Sequence, residues 1–261
     1  MKIAVVTTAT PDLNFRDYSI DNSRDYCKKR GYDFILYENK IDARASVIAN
    51  KTMTALKNID KYDWIFMKDA DSLFYKFDIK IENYIDDKFN YIASYSCIPN
   101  TINLGHMLIK CTPKVKQELT LIYDEIRQKV IVKGEQLIYN EYWNTGKISP
   151  VKKLPKSILN AQPFDKIKCG EWNLSVEKLY ELDNKKNDFE ALGDILYNTF
   201  IVHYPGAFLK SRSYTHERMV HTTNTNWFNF SESYLPEFIA MYNKIKTNNQ
   251  NVNKRTIRIK K

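Results

Sequence analysis

The sequence has few of the residues that mark fibrous, low-complexity or disulfide-stapled proteins. Its 261 residues include 7 glycines and 8 prolines, which are too few for a collagen-like or low-complexity chain. No Cys-x-x-Cys pair occurs among its four cysteines, Cys27, Cys97, Cys111 and Cys169. We therefore expect free thiols rather than a zinc site or a disulfide framework.

Long hydrophobic runs are also absent from the sequence. The longest are four or five residues, at Ile3–Val6, Trp64–Met67 and Phe238–Tyr242, whereas a membrane-spanning helix needs about 20 apolar residues. The apolar stretch at the N-terminus is too short for a signal peptide. We expect a soluble protein of the cytoplasm, or of a host cytoplasm.

Acidic residues are missing from the end of the chain, where the charge is concentrated. The net charge is +9, but residues 244–261 hold seven lysines and arginines and no acid. Without those seven, 33 basic residues face 31 acidic ones, a net charge of +2. This distribution argues against a nucleic-acid partner. It predicts a basic, flexible tail over 244–261 that could contact an anionic membrane.

The remaining composition, 43% hydrophobic and 13% aromatic, predicts one large folded domain. Apolar runs predict strands at 2–7, 32–37, 62–67, 91–96, 104–110 and 199–203. Helical spacing and end signals predict helices at 12–30, 43–58, 113–132, 134–143 and 234–246. The pattern after Pro150 is irregular. Such alternation predicts an α/β fold with a mostly parallel central sheet and helices on both faces.

Two acidic residues, Asp69 and Asp71, follow the third predicted strand on either side of Ala70. In open α/β sheets ligands bind beyond the carboxyl ends of strands, and the first strand ends there in Thr7 and Thr8. Two carboxylates at this spacing can hold a divalent cation and its phosphates. A solvated turn is one alternative. A haloacid-dehalogenase-type nucleophile is another, but two strands and two helices precede this motif.

A histidine and a lysine late in the chain extend the candidate site. His203 ends a predicted strand, and Gly206 follows it closely. A neutral imidazole can be a third metal ligand beside two carboxylates. Lys210 offers a point charge for a departing phosphate. The alternatives are a structural histidine at a strand end and a surface lysine.

In their order along the chain, these residues resemble GT-A glycosyltransferases. The resemblance is closest to glycosyltransferase family 34 and looser to the glycogenin-like family 8. It covers roughly residues 1–212, and its specific parts are the strand with Asp-Ala-Asp at Trp64–Asp71 and the late His203. The other similar segments are Arg24–Cys27 with Gly31–Asp33, Lys51, Asn103–Gly105, Glu135–Gln136, and His203–Gly206 with Lys210.

The resemblance implies a Rossmann-like nucleotide-diphospho-sugar transferase fold. It implies transfer of a sugar from a nucleoside-diphosphate sugar, such as a UDP-sugar, to a glycan or other hydroxyl with retention of configuration. A metal ion, Mn²⁺ or Mg²⁺, would be held by Asp69, Asp71 and His203. The donor would meet Thr7, Thr8, Lys51, Ala70, Asn103, Gly105, Gly206 and Lys210. The catalytic candidates are Lys210, Glu135 and Gln136.

The implied domain spans residues 1–243, with a nucleotide-binding half at 1–110 and an acceptor-side half at 111–243. Two other functions stay open. A sugar-nucleotide-processing enzyme would have a glycine-rich loop after the first strand, and residues 7–13 contain no glycine. A catalytically inactive binding protein of the same fold would retain the architecture, although the intact Asp69, Asp71 and His203 argue against it.

Overall fold

The protein is described by a computed structural model over residues 1–39, 41, 50–96, 101–129, 135–161, 199–204 and 235–258. Two of the candidate site residues, Gly206 and Lys210, lie outside these ranges. Within them, Cys27 and Cys111 are free thiols, as expected.

Six of the described strands form the central sheet: β1 (Ile3–Thr8), β2 (Asp33–Tyr37), β3 (Trp64–Lys68), β5 (Tyr91–Tyr95), β6 (Ile102–Lys110) and β7 (Val151–Leu154). Their order across the sheet is β2-β1-β3-β6-β5-β7. Five strands run in one direction and β6 is antiparallel to its neighbours β3 and β5, so the expected mostly parallel sheet is confirmed.

The first strand, helix and strand form a parallel βαβ unit. Helix α1 (Arg16–Arg30) ends at Gly31, which adopts a left-handed φ of 75° and donates from its amide to the carbonyl of Cys27. Glycine adopts this conformation without the strain of a Cβ. The turn leads the chain directly into β2, which pairs in parallel with β1.

Helices cover both faces of the sheet, as expected. Alternate residues of β1 enter two separate cores: Val5 packs on one face and Val6 on the other, because successive strand side chains point to opposite sides. Helices α1 and α6 (Leu235–Arg258) cover the first face. The second face is covered by α2 (Asn50–Asn58), α3 (Pro113–Lys129) and α4 (Glu135–Asn144).

A small antiparallel sheet adjoins the end of β3. It pairs β4 (Ser72–Phe74) with β8 (Ile201–His203), and Ser72 lies opposite His203. The late strand is therefore confirmed, but it does not belong to the central sheet. This pairing, together with the hydrogen bond from the His203 amide to the Ala161 carbonyl, carries His203 to the Asp-Ala-Asp turn.

Two parts of the chain differ from the sequence expectation. The segment after Pro150 was expected to be irregular, yet it contains β7 and a short helix, α5 (Lys156–Leu159). The expected end of the last helix at Lys246 is wrong, because α6 continues to Arg258. The tail expected to be flexible from Lys244 is thus helical as far as Arg258, and Ile245 is buried. Within the described ranges, no helix is both long and apolar enough to cross a membrane.

Candidate active site

The Asp-Ala-Asp turn lies at the carboxyl end of β3. The amide of Asp69 donates to the carbonyl of Gly105 on β6 at 2.8 Å, so the β3–β6 pairing sets where the turn begins. Ala70 and Asp71 are buried, whereas the Asp69 side chain is 31% exposed. The turn therefore presents one open and one enclosed carboxylate.

His203 brings its imidazole to both carboxylates. Its Nε2 lies 3.1 Å from Asp71 Oδ1 and 3.8 Å from Asp69 Oδ2. One ligand atom from each of the three residues falls within 4.8 Å of the others. The amide of Tyr204 donates to the carbonyl of Asp71 at 3.0 Å, which ties the end of β8 to the turn. The structure thus brings together the three residues expected to hold a metal.

Asn160 fixes the orientation of the His203 ring. Asn160 Oδ1 lies 2.7 Å from His203 Nδ1, and its Nδ2 donates to the carbonyl of Tyr95 at 3.3 Å. The amide oxygen can only accept, so we assign the imidazole proton to Nδ1. The Nε2 lone pair of a neutral ring then faces the carboxylates. No sequence signal pointed to Asn160.

This donor set fits a divalent cation. A neutral Nε2 and a carboxylate oxygen 3.1 Å apart are both acceptors, and a positive charge is needed between them. A metal ion meets that need, and so does a second proton on His203 as an ion pair. Two carboxylates and an imidazole are ligands that Mn²⁺ accepts, and Mg²⁺ prefers the oxygens alone.

Gly105 lies in the middle of the cluster. A Cβ at this position would be 2.7 Å from both Asn103 Oδ1 and His203 Cε1, and 2.8 Å from Asp69 Oδ2. Real Cβ atoms do not approach other atoms so closely, so any other residue at this position would have to displace these side chains. Asn103 also accepts the amide of Gly105 at 2.8 Å. Both residues, expected at the donor sugar, therefore border the candidate ligands.

Lys51 on α2 pairs with the more open carboxylate. Its Nζ lies 2.6 Å from Asp69 Oδ1 and donates to the carbonyl of Leu104 at 2.8 Å. Burial lowers the pKa of Lys51, but the carboxylates of Asp69 and Glu135 outweigh burial and raise it. Lys51 is therefore a charged ammonium at the edge of the candidate metal cluster.

Glu135 and Gln136, the two catalytic candidates on α4, occupy different places. Glu135 is 5% exposed, and it accepts a hydrogen bond from Thr52, whose hydroxyl also lies 3.1 Å from that of Tyr139. Burial raises the pKa of Glu135. Gln136 is half-buried, and its Oε1 accepts the amide of Leu104 at 3.3 Å. Gln136 therefore contacts the strand that borders the cluster, while Glu135 packs beneath α2.

Thr7 and Thr8 end β1 beside β3. The hydroxyl oxygens of both are shielded from solvent and find no hydrogen-bond partner among the described residues. Buried hydroxyls are rarely left unpaired. The end of β1 thus carries two hydroxyls whose hydrogen bonding the described residues do not account for.

A buried lysine and histidine lie behind the turn. Lys68 is 1% exposed, and burial lowers its pKa to about 7. His106 Nε2 lies 2.8 Å from Ser72 Oγ, and its ring meets that of His203 edge-on at 4.8 Å. Neither residue was expected at the site from the sequence. One signal was available: Lys68 shares strand periodicity with Trp64 and Phe66, which points it into the core.

Solved structures of several glycosyltransferases align with this chain. A glycosyltransferase involved in glycosylation of the major capsid of PBCV-1 aligns with a TM-score of 0.57 at 14% identity, covering 84% of this chain and 99% of that one. The galactosyltransferase LgtC aligns with a TM-score of 0.46 at 14% identity, covering 86% of this chain and 98% of that one. The glycosyltransferase GlyE of Streptococcus pneumoniae aligns with a TM-score of 0.43 at 14% identity, covering 95% of this chain and 64% of that one.

The first of these likenesses shows that the chain has the fold of that glycosyltransferase, and it confirms the GT-A fold class expected from the sequence. No protein-family profile and no curated protein sequence matches the chain. The closer resemblance to family 34 therefore stays a prediction.

Proposed function

We propose that the protein is a metal-dependent glycosyltransferase. It moves a sugar from a nucleoside-diphosphate sugar, most simply a UDP-sugar, to a hydroxyl of a glycan or other acceptor. The observation that carries this proposal is the convergence of Asp69, Asp71 and His203 at one sheet edge in a chain with a glycosyltransferase fold.

Asp69, Asp71 and His203 would hold the divalent ion, Mn²⁺ or Mg²⁺. Such an ion supplies positive charge to the diphosphate of the donor and so favours departure of that group. Asp71 and His203 are enclosed, which keeps water from competing for the ligand atoms. Lys51 holds Asp69 Oδ1 at 2.6 Å, leaving Oδ2 turned toward His203.

The donor nucleotide would bind along the adjacent end of β1. The hydroxyls of Thr7 and Thr8, which have no hydrogen-bond partner in the described part of the chain, can donate to oxygens of the ribose or the phosphates. Asn103, Gly105 and Gln136 border the same edge and are placed to contact the donor sugar. Ala70 leaves the turn free of a bulky side chain at that point.

Retention of configuration is the outcome that the family 34 resemblance favours. In this reaction the acceptor oxygen bonds to the anomeric carbon on the face that the diphosphate leaves. The acceptor proton passes to the departing phosphate oxygen, so no dedicated base is needed. Positioning and charge stabilisation then provide the rate enhancement. Lys210 is proposed to add a second cation at the leaving group, with Gly206 permitting close approach.

The site draws on both proposed halves of the chain. Asp69, Asp71 and Gly105 come from residues 1–110, whereas Asn160 and His203 come from 111–243. We propose that the second half also supplies the acceptor site. For the basic residues of 244–261 we propose peripheral contact with an anionic membrane.

A donor screen tests the proposed function. Purified protein is incubated with UDP- and GDP-sugars in Mn²⁺, and release of the nucleoside diphosphate is measured with and without EDTA. We expect hydrolysis or transfer with one donor class, lost in EDTA. Binding of a nucleoside diphosphate without turnover of any sugar donor would instead identify an inactive binding protein. Release of a nucleoside monophosphate, or of a nucleoside triphosphate once pyrophosphate is added, would identify a sugar-nucleotide-processing enzyme.

A further inference from the structure

Lys68 is enclosed directly behind the Asp-Ala-Asp turn. It ends β3 on the sheet face that α1 covers, and its side chain is fully buried. Its Nζ donates to the carbonyls of Ser72 at 2.7 Å and Asp69 at 3.1 Å, and to Ser19 Oγ on α1 at 3.2 Å. These three contacts use all three N–H groups of an ammonium.

The two carbonyls that Lys68 contacts belong to Asp69, the first residue of the turn, and to Ser72, which directly follows the turn and begins β4. Two hydroxyls join the same network: Ser72 Oγ donates to the Asp69 carbonyl at 2.8 Å, and Ser19 Oγ donates to the Ser72 carbonyl at 3.1 Å. The turn is thus held from its inner side. Its carboxylates project away from this network toward Lys51 and His203.

We propose that Lys68 is a positioning residue that sets the separation and direction of the Asp69 and Asp71 carboxylates for a divalent cation. The proposal rests on the proposed function, since it concerns the same metal. A buried ammonium costs free energy unless its donors are satisfied. Here they are satisfied by the carbonyls of Asp69 and Ser72 at the two sides of the turn and by Ser19 Oγ, so the turn and the ammonium fix each other.

Two physical effects of Lys68 on metal affinity have opposite signs. Its positive charge repels a bound cation, so removing the charge alone would tighten metal binding. Its hydrogen bonds hold the ligands in place, so removing them would weaken metal binding, as loss of groups that orient metal ligands typically does. Positioning predicts that the second effect is larger. The direction of the change in affinity therefore decides between positioning and a purely electrostatic role.

The test compares Lys68→Met with the wild-type protein and with Lys110→Met. Methionine keeps an apolar stem and most of the length of the side chain but donates no hydrogen bond. Lys110 lies on β6 at the other end of the β3–β6 ladder, opposite Trp64, and its Nζ contacts Asp87. Binding of Mn²⁺ in the presence of UDP is measured by calorimetry and by the electron paramagnetic resonance signal of free Mn²⁺.

We expect Lys68→Met to raise the dissociation constant for Mn²⁺ by about 10–100-fold, and Lys110→Met to leave it unchanged. With an active donor, the apparent KM for Mn²⁺ should rise while kcat recovers at saturating Mn²⁺. Unchanged or tighter Mn²⁺ binding by folded Lys68→Met would overturn the proposal. Failure of the wild-type protein to bind Mn²⁺ would instead overturn the proposed function.

A milder variant keeps the proposal testable if Lys68→Met does not fold. Ser19→Ala removes one acceptor of the ammonium and one donor to the turn, and alanine suits the helix. We expect a smaller weakening of Mn²⁺ binding, in the same direction, with a cooperative thermal transition. A folded Ser19→Ala protein with wild-type affinity for Mn²⁺ would contradict the proposed network.

Discussion

The backbone of Gly105 lies against the imidazole of His203 so closely that a Cβ on Gly105 would be 2.7 Å from His203 Cε1. The same Cβ would be 2.8 Å from Asp69 Oδ2. The main chain of β6 is therefore the surface on which two of the three candidate metal ligands rest. A side chain at this position has to displace one of them.

Gly105→Ala is predicted to disrupt the candidate metal site without unfolding the protein. The added methyl must push away the His203 ring, the Asp69 carboxylate or both, since neither contact leaves room for it. We expect Mn²⁺ affinity and donor hydrolysis to fall by about 10-fold or more. Calorimetry with Mn²⁺ and UDP measures the first effect, and circular dichroism verifies the fold.

The companion variant is Asn103→Ala with Gly105→Ala. It removes one of the three close contacts, the one to Asn103 Oδ1, and leaves those to His203 and Asp69. The double variant should therefore remain impaired. Wild-type Mn²⁺ affinity in Gly105→Ala would show that the cluster is not a metal site of this geometry.

Asn160→Ala is predicted to weaken metal binding through His203. The variant removes the acceptor at Nδ1, so the ring loses the contact that fixes its orientation and tautomer. Loss of such a partner typically costs about 10–100-fold in metal affinity. Asn90→Ala is the matched control, because it also removes an asparagine side chain that makes a hydrogen bond, in this case to Ser149 Oγ. The backbone carbonyl of Asn90, which accepts the amide of Lys110, is retained. Equal Mn²⁺ affinities for the two variants would remove Asn160 from the site.

Glu135→Gln is predicted to change the pH dependence of stability. Burial raises the pKa of Glu135, so folding favours its protonated form. That contribution is fully present below the unfolded pKa of about 4.3 and is lost as pH rises through the raised value. Glutamine keeps the acceptor for Thr52 without a charge.

The Tm gained by Glu135→Gln should therefore be larger at pH 7.5 than at about pH 3, which lies below the unfolded pKa, so that both side chains are neutral. Thermal melts across this range measure the difference. A Tm difference independent of pH would mean that Glu135 titrates as it does in the unfolded chain. A variant that also keeps donor hydrolysis would show that Glu135 has no catalytic role.

The start of the basic segment is predicted to matter for stability. Ile245 is buried in the core beneath α1, and Lys29 Nζ lies 3.4 Å from Asn249 Oδ1. A chain that ends at Asn249 keeps both contacts and should unfold near the wild-type temperature. A chain that ends at Asn243 loses Ile245, which should cost about 2 kcal/mol or more. Equal Tm values for the two truncations would contradict this packing.

The same truncations test membrane contact. Flotation with anionic vesicles should recover the full-length protein at low salt and less of it at high salt. The chain ending at Asn249 lacks the last five basic residues of the sequence and should bind less. Equal flotation of the full-length protein and the chain ending at Asn249 would show that the basic residues after Asn249 do not cause vesicle binding.

Much of the sheet could be predicted because its strands are apolar on both faces. The runs Ile3–Val6 and Trp64–Met67 fill both cores, and no competing pattern fits them. Strand β7 was missed, because its sequence VKKL places two lysines in a short edge strand. The second half of α6 was missed as well, because it is polar and lacks the apolar periodicity on which helix prediction depends.

The candidate site was predictable where a motif carried it and not where packing did. The spacing of Asp69 and Asp71 after a buried strand pointed to a cation, and the polar end of β8 pointed to His203. Nothing in the sequence placed Asn160 behind the imidazole, because that contact joins two separate segments. Lys68 was overlooked because a lysine beside an acidic motif is usually exposed.

The most direct test of the metal site is Mn²⁺-dependent donor hydrolysis by Asp71→Asn, measured beside Asp87→Asn. The Asp87 side chain is 81% exposed and pairs with Lys110 at the other end of the β3–β6 ladder, so its variant controls for loss of a carboxylate. We predict that Asp71→Asn retains the fold, binds Mn²⁺ weakly and loses donor hydrolysis, whereas Asp87→Asn matches the wild-type protein. Full Mn²⁺-dependent hydrolysis by Asp71→Asn would contradict the assignment of Asp69, Asp71 and His203 as the metal site.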